Sequence, residues 1–323
     1  MTDARQPTRP SGFSDADFEE EVTSVSAPPT AAGQALPKAN PVRDRATLTL
    51  LSGPSAGSIH SLLMDVVHIG RGKECAVKVD DPGISRTHAR VVRAGPGSYT
   101  IEDLGSRNGT FVNGDRILKQ ALAEGDCISA GPSTEFRFGF TNEAEEGLLR
   151  RLYESSVLDA LTGAFNRKHF TERLTGEIAY ARRHKTPLSL IMFDLDHFKR
   201  VNDSLGHLGG DHVLRSVAGL VKRTLRAEDV FARYGGEEFA VIARGIDVER
   251  AYLFAERIRT TVAAARVEFN RTNVPITVSL GAASLDCCGD AQGNEALVAK
   301  ADERLYAAKR AGRNRTIGKG NTR

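Results

Sequence analysis

At 323 residues, 40% apolar and 26% charged, with no tryptophan, the chain has a globular composition and room for two domains and a tail. Its net charge of +3 is too small to argue for a nucleic-acid partner, and its longest dense apolar run, LSLIMF, is too short to span a bilayer. The N-terminal stretch MTDARQPTRPSGFSDADFEEE lacks the pattern of a secretory leader, and Cys75, Cys127, Cys287 and Cys288 lack zinc-ligand spacing, so a reduced cytoplasmic protein with no membrane insertion is expected.

Residues 1–45 are rich in Pro, Ala, Ser, Thr and acids without periodicity, which predicts a disordered tail; within it DFEEEVTSVS runs an acidic stretch into Thr23. Residues 46–140 are short alternating segments separated by turn signals (TLTLLSG, VVHIG, HARVVRAG, SYTIEDL, DCISAG, EFRFGF), the pattern of an all-β sandwich. Asn108-Gly109 and Asn113-Gly114 are strong tight-turn signals there. Residues 141–158 predict a linker helix with Leu148, Leu149 and Leu152 on one side, a candidate dimer contact. From 159 to 323 strands alternate with amphipathic helices, which indicates an α/β or α+β domain.

In that last region the strand LSLIMFDLD ends in Asp194 and Asp196, which share a face by the period of two, with the Leu195 carbonyl between them. Oxygen donors of this kind suit magnesium beside a phosphate, although a strand end in solvent would look the same. RAEDVFARYGGEEFAVIA reads as two strands around Gly235-Gly236. Alternation sends Glu237 and Glu238 to opposite sides, so one of them is expected to face the FDLD carboxylates. The two glycines leave room for a ligand at the turn. Lys309 and Arg313 are four apart on a helical pattern and read either as dipole-complementing cations or as a phosphate clamp. Asn202 and Asp211 could both read a base edge, while Asp211 equally fits a helix N-cap.

Taken together and in order, DALTGAFNR, FDLDHFKRVND, GHLGGDHVL, RYGGEEF, VSLGAA and ADERLYAAKRAGRNR resemble the GGDEF family of diguanylate cyclases over about residues 155–318. The resemblance implies a fold like the palms of nucleotidyl cyclases and polymerases, and condensation of two GTP into cyclic di-GMP and two pyrophosphates by a homodimer. It implies that Asp194, the Leu195 carbonyl and Glu237 bind magnesium (or manganese), with Glu238 near a second ion. Asn202 and Asp211 would hold guanine. Lys199, Lys309 and Arg313 would contact the triphosphate, with Gly235 and Gly236 beside the substrate. Arg226 and Asp229 form an RxxD five residues upstream of the glycine pair, the offset of the family's product-inhibition site, with Arg257 as a second arm. Arginine donors there suit guanine O6/N7 and phosphate, and the aspartate suits guanine N1/N2.

In the N-terminal region HIGRG, PGISRTHARV and DLGSRNGTFVNG resemble the forkhead-associated (FHA) domain, a phosphothreonine reader. Arg71, Ser85 and Arg86 would supply charge-assisted bonds to a phosphate, Asn108 would anchor the peptide with Arg107 beside it, and His88 would brace the loops. The segment around Thr23 resembles the acidic stretches that Ser/Thr kinases modify ahead of such domains, making Thr23 a candidate phosphothreonine for this chain's own FHA domain or a partner's. The fold expected is therefore multidomain, an FHA sandwich followed by a GGDEF domain. The competing function is a catalytically silent cyclic di-GMP receptor that scaffolds through its phosphopeptide module.

Overall fold

The computed structural model describes residues 42–318, apart from 54, 82, 227 and 289–292. Thr23 lies outside the described residues. The first part of the described chain is built from eleven strands: β1 (Arg45–Leu50), β2 (Ile59–Ser61), β3 (Val66–Gly70), β4 (Val77–Lys78), β5 (Ala89–Gly95), β6 (Ser98–Asp103), β7 (Thr110–Val112), β8 (Asp115–Ile117), β9 (Lys119–Leu122), β10 (Cys127–Ala130) and β11 (Thr134–Thr141). They form two sheets, ordered β2-β1-β11-β10-β7-β8 and β4-β3-β5-β6-β9. Alternation drives the packing: Leu48, Phe136 and Phe138 from one sheet and Ile69, Val91 and Ile101 from the other are fully or nearly fully buried in one core. The β7–β8 hairpin turns on Asn113 and Gly114, both at positive φ (53° and 95°) with Val112 paired to Asp115, as a two-residue type I′ connection requires.

Helix α1 (Glu143–Val157) follows, capped by the Asn142 side chain accepting from the Glu145 amide. It is pinned to the sandwich by the nearly buried Glu146, which accepts from Ser61 Oγ at 2.5 Å and Arg45 Nη1 at 3.3 Å. Leu148, Leu149 and Leu152 form an exposed apolar face on it (50, 37 and 56% exposed).

The second domain comprises α2 (Arg167–His184), β12 (Leu188–Leu195), α3 (Phe198–Lys222), β13 (Val230–Arg233), β14 (Glu238–Arg244), α4 (Val248–Ala264), β15 (Val267–Phe269), β16 (Thr272–Val274), β17 (Val278–Ser284), α5 (Asn294–Arg310) and β18 (Thr316–Ile317). Its sheet is ordered β13-β14-β12-β17-β18, antiparallel except for the β17–β18 pair. Every residue of β12 is buried, and the period of two sorts them between two cores. Ile191, Phe193 and Leu195 pack with α3 and α4, while Leu188, Leu190 and Met192 pack with α2 and α5. Asp194 continues the second series, so its carboxylate emerges on the α5 side. Gly281 on β17 lets α5 approach closely: a Cβ there would lie 2.1 Å from the Ala301 carbonyl oxygen and 2.3 Å from the Leu305 nitrogen.

Candidate active site

The strand register builds the acidic centre. Asp194, at the end of β12, is the direct cross-strand partner of Glu238, the first residue of β14. Glu237 lies in the turn before β14, outside the pleat, so strand alternation does not govern it. The Leu195 amide donates to the Glu237 carbonyl at 3.3 Å and draws the turn against the end of β12. Both glutamates consequently lie close to Asp194, one through strand register and one through the turn, where alternation allowed only one. Burial and the Asp194 charge push the Glu237 carboxyl above its ordinary value. Burial also raises Asp194, and Lys309 partly offsets this by bridging it at 2.8 Å.

The turn itself is tied down from below. Arg233 Nη2 and Nε donate to the Gly236 carbonyl at 2.6 and 3.0 Å, and its Nη1 reaches Asp159 Oδ2 at 3.1 Å, just beyond α1. A Cβ on Gly235 would meet only the mobile end of the Glu238 side chain (Oε2 at 2.6 Å), and Gly236 faces open space.

Asp196 takes a different part from the paired metal ligand that the FDLD pattern suggested. Its carboxylate is consumed by Ser279 Oγ at 2.6 Å, Thr277 Oγ1 at 2.7 Å and the Asn314 amide at 3.0 Å. A carboxylate with three donors has little lone-pair capacity left for a cation. It holds instead the turn after α5, where Arg313 (φ 62°) and Asn314 (φ 44°) adopt left-handed backbone. The T-V-S alternation at 277–279 was a usable sign of this role, since Thr277 and Ser279 share a strand face.

Lys199 stands exposed in the first turn of α3. Further along, α3 kinks at Gly206 (φ 70°), and Asp211 lies inside the second segment, which removes the N-cap reading for it. Asn202 and Gly210 are in contact across the kink: a Cβ on Gly210 would sit 1.9 Å from Asn202 Oδ1 and 3.1 Å from Phe198 Cζ. Asn202 and Asp211 are both half-buried and lie on either side of this kink.

Among the described residues no three His, Cys, Asp or Glu side chains converge as a finished metal cage. The donor chemistry nevertheless fits a magnesium–nucleotide site. Magnesium commonly takes one or two carboxylates and completes its shell with water and phosphate oxygens. Two coupled carboxylates with raised pKa values stand beside the Leu195 backbone, and the Lys309 ammonium already bridges one of them.

At the RxxD, Asp229 Oδ2 accepts from the Arg226 amide at 2.8 Å, so the link between the two runs through the backbone. Burial raises the Asp229 carboxyl. Arg257 donates to the Thr224 carbonyl at 2.8 Å and lies over the Phe254 ring at 4.8 Å, which directs it to the same end of α3.

On the sandwich a cleft of about 600 Å³ is lined by Arg71, Ser85, Arg86, Thr87 and Arg107, with Glu74 at its edge. Ser85 Oγ accepts the Arg107 amide at 3.1 Å, and Asn108 Nδ2 donates to the Gly83 carbonyl at 2.8 Å, which engages its amide in holding two loops together. His88 is fully buried: its Nδ1 accepts from the Ser85 amide at 3.2 Å and its Nε2 donates to the Gly109 carbonyl at 3.1 Å. These two bonds require the neutral Nε2–H tautomer, and burial holds its pKa below the ordinary value.

Residues 156–315 match the family described as "Diguanylate cyclase, GGDEF domain", and residues 67–131 match the FHA domain. The chain is 42% identical over 162 residues to "Diguanylate cyclase DgcP" of Pseudomonas aeruginosa, covering 50% of this chain and 24% of that protein. It is 39% identical over 168 residues to "Response regulator PleD" of Caulobacter vibrioides, covering 51% and 37%. It spans between a quarter and a half of the length of such curated relatives. The crystal structure of the coiled coil and GGDEF domain of DgcB from Caulobacter crescentus, in complex with c-di-GMP, is similar at 34% identity and a TM-score of 0.50, covering 54% of this chain and 92% of that one. No described helix is long and apolar enough to cross a membrane. The chain belongs to the GGDEF domain family and carries an FHA domain ahead of that domain.

Proposed function

We propose that this chain is a diguanylate cyclase whose output is set by phosphothreonine recognition. The observation that carries the catalytic part is the joint placement of Asp194, Glu237 and Glu238 at one sheet end with Lys309 bridging Asp194 at 2.8 Å. All the positions needed for nucleotidyl transfer are present, which favours a working enzyme over a silent receptor.

In the reaction the 3′-hydroxyl oxygen of one GTP bonds to the α-phosphorus of the other, that phosphorus releases pyrophosphate, and the second bond forms in the same way. Each domain holds one GTP, so two domains must face each other as a dimer, and positioning dominates the rate. Asp194, the Leu195 carbonyl and Glu237 would hold magnesium (or manganese), with Glu238 near a second ion. Such an ion would supply Lewis-acid activation of the attacking hydroxyl and charge neutralisation at the phosphates. Lys309, already at Asp194, lies within reach of whatever phosphate binds there, and Arg313 and Lys199 add positive charge around it. Asn202 and Asp211 hold the guanine edge, Asp211 accepting from its N1 and N2 hydrogens. Cyclic di-GMP bound at Arg226, Asp229 and Arg257 holds the domains apart and limits turnover.

In the same scheme the FHA cleft takes a phosphothreonine on Arg71, Ser85 and Arg86, supplied by Thr23 after a Ser/Thr kinase acts or by a partner protein. The test is cyclic di-GMP formation from GTP and magnesium by the full chain, with product removed by a phosphodiesterase. Formation by the wild type and its loss in Asp194→Asn would support the reading; an inert wild type that still binds cyclic di-GMP would replace it with the receptor.

A further inference from the structure

The loop between β4 and β5 does two things at once. Its later part, Ser85 and Arg86, lines the phosphate cleft. Its middle is bolted to the sandwich: Asp81 accepts from the Gly83 amide at 2.7 Å, Ser133 Oγ at 2.6 Å and Thr134 Oγ1 at 2.7 Å. Asp80, one residue earlier, reaches the other way, into the catalytic domain. Its Oδ2 accepts from Arg173 Nη2 at 2.9 Å and Arg244 Nη1 at 2.6 Å.

The two arginines share a second carboxylate, Glu177, which Arg173 meets at 3.2 Å one helical turn along α2 and which Arg244 also contacts. Three members of this network belong to the catalytic domain. The Arg173 and Glu177 side chains are almost completely buried there (8 and 9% exposed), while the Asp80 side chain is 45% exposed. The domain therefore presents a preformed cationic seat, two guanidiniums against one buried carboxylate, which a single carboxylate from the sandwich neutralises. Burial alone would raise the Asp80 carboxyl, but Arg244 and then Arg173 outweigh it and hold the group ionised.

Arg244 closes β14, the strand that Glu238 opens, and across the ladder it faces Leu188 as Glu238 faces Asp194. The seat and the acidic centre are thus the two ends of one fully paired, buried strand. Such an element moves as a unit, since packed interiors yield little.

We propose that Asp80 is a positioning residue that couples the phosphate cleft to the catalytic domain: its carboxylate, seated between Arg173 and Arg244, transmits occupancy of the cleft to the strand bearing Glu238. This rests on the reading of the cleft as a phosphothreonine site. A phosphate on Arg86 and Ser85 loads the loop a few residues from Asp80. The Asp81 carboxylate, which accepts from the Gly83 amide at 2.7 Å, ties that part of the loop to the residue beside the latch. Coupling of this kind requires two sites and a shared element with distinct arrangements, here the seated and unseated carboxylate.

The experiment uses the full chain and a synthetic peptide of residues 17–29 carrying phosphothreonine at position 23. Peptide affinity is read by fluorescence anisotropy, and the cyclase rate is read with and without saturating peptide, for wild type, Asp80→Asn and Asp80→Glu. Asp80→Asn is expected to bind the peptide within about twofold of wild type, while a wild-type rate change of about fivefold or more disappears. Asp80→Glu, which keeps the charge, restores the response, as a merely structural surface residue would not. A rate response in Asp80→Asn equal to that of wild type overturns the latch. So does an Asp80→Asn variant that no longer binds the peptide, because Asp80 would then be part of the cleft. A wild type that binds peptide without any change in rate overturns the latch and leaves the cleft reading standing. A wild type that binds no better than Arg71→Ala removes the cleft reading and the latch with it.

Discussion

Substituting Gly210 by alanine separates recognition of guanine from folding. A Cβ at that position would lie 1.9 Å from Asn202 Oδ1 and 3.0 Å from its Cγ, where ordinary contact begins near 3.4 Å, so the amide must retreat by about 1.5 Å. Phe198 Cζ, 3.1 Å away, blocks the remaining space, while the obstructing atoms are the far end of a side chain and the backbone can stay put. Alanine also gains about 1 kcal/mol over glycine in a helix, which offsets the crowding and keeps the domain folded. The loss falls on substrate. With Asn202 on the guanine edge as proposed, its displacement would forfeit that hydrogen bond and leave a polar group unmade, about 1.5–3 kcal/mol, lowering kcat/KM roughly 10- to 150-fold. Pyrophosphate release over a range of GTP concentrations should place most of this in KM, with a thermal melt close to wild type. Gly219→Ala serves as the control on the same helix: its nearest neighbour is Arg223 Nη1 at 3.9 Å, so KM should not change. A Gly210→Ala enzyme with wild-type KM would refute the placement of Asn202 on guanine.

Glu237→Gln should abolish turnover while raising the melting temperature of the chelated, metal-free chain. The folded protein raises this carboxyl, so its ionised form costs stability above the ordinary glutamate range and the cost fades as pH falls through the raised value. The gain is expected at pH 7 and absent near pH 4, and calorimetry at both pH values checks it. Gly281→Ala should destabilise the domain by about 3 kcal/mol or more in urea, because its Cβ meets the α5 backbone and α5 cannot retreat without unseating Lys309. For His88 the sign is opposite to a paired histidine. Its folded pKa lies below the ordinary 6.5, so the stability it contributes is complete above that value and is lost as pH falls through the folded pKa. NMR titration should find it neutral after exposed histidines have protonated; a charged His88 at pH 6 would contradict the two loop bonds assigned to it.

Much of the architecture was legible in the periods of the chain. The change from twofold alternation to strands interleaved with helices marks the passage from sandwich to α/β domain, and Asn113-Gly114 forms the type I′ hairpin its residues demand. The short edge strands β4 and β8 were not legible, since two or three residues carry no period. At the acidic centre, alternation allowed only one of Glu237 and Glu238 to face Asp194, but Glu237 sits in the turn, outside the pleat, where the Leu195–Glu237 backbone bond draws it to the end of β12. Asp211 failed as an N-cap because α3 starts thirteen residues earlier and passes through a kink. Asp196 looked like a second metal ligand until its three donors were seen, one on β17, one just before it and one beyond α5. Asp80, Arg173, Arg244 and Glu177 gave no local sign at all, since their meeting depends on how two domains pack.

The acidic sheet end is proposed to be a working cyclase centre. Its most direct test is the formation of cyclic di-GMP from GTP and magnesium by the full chain, phosphorylated and unphosphorylated at Thr23, beside Glu237→Gln. A phosphodiesterase should be present so that the Arg226 site stays empty. Product is expected from the wild type in at least one phosphorylation state, with a loss of about 100-fold or more in the variant. Equal turnover by wild type and Glu237→Gln would contradict the metal assignment, and no product in either state would leave a receptor where an enzyme was proposed.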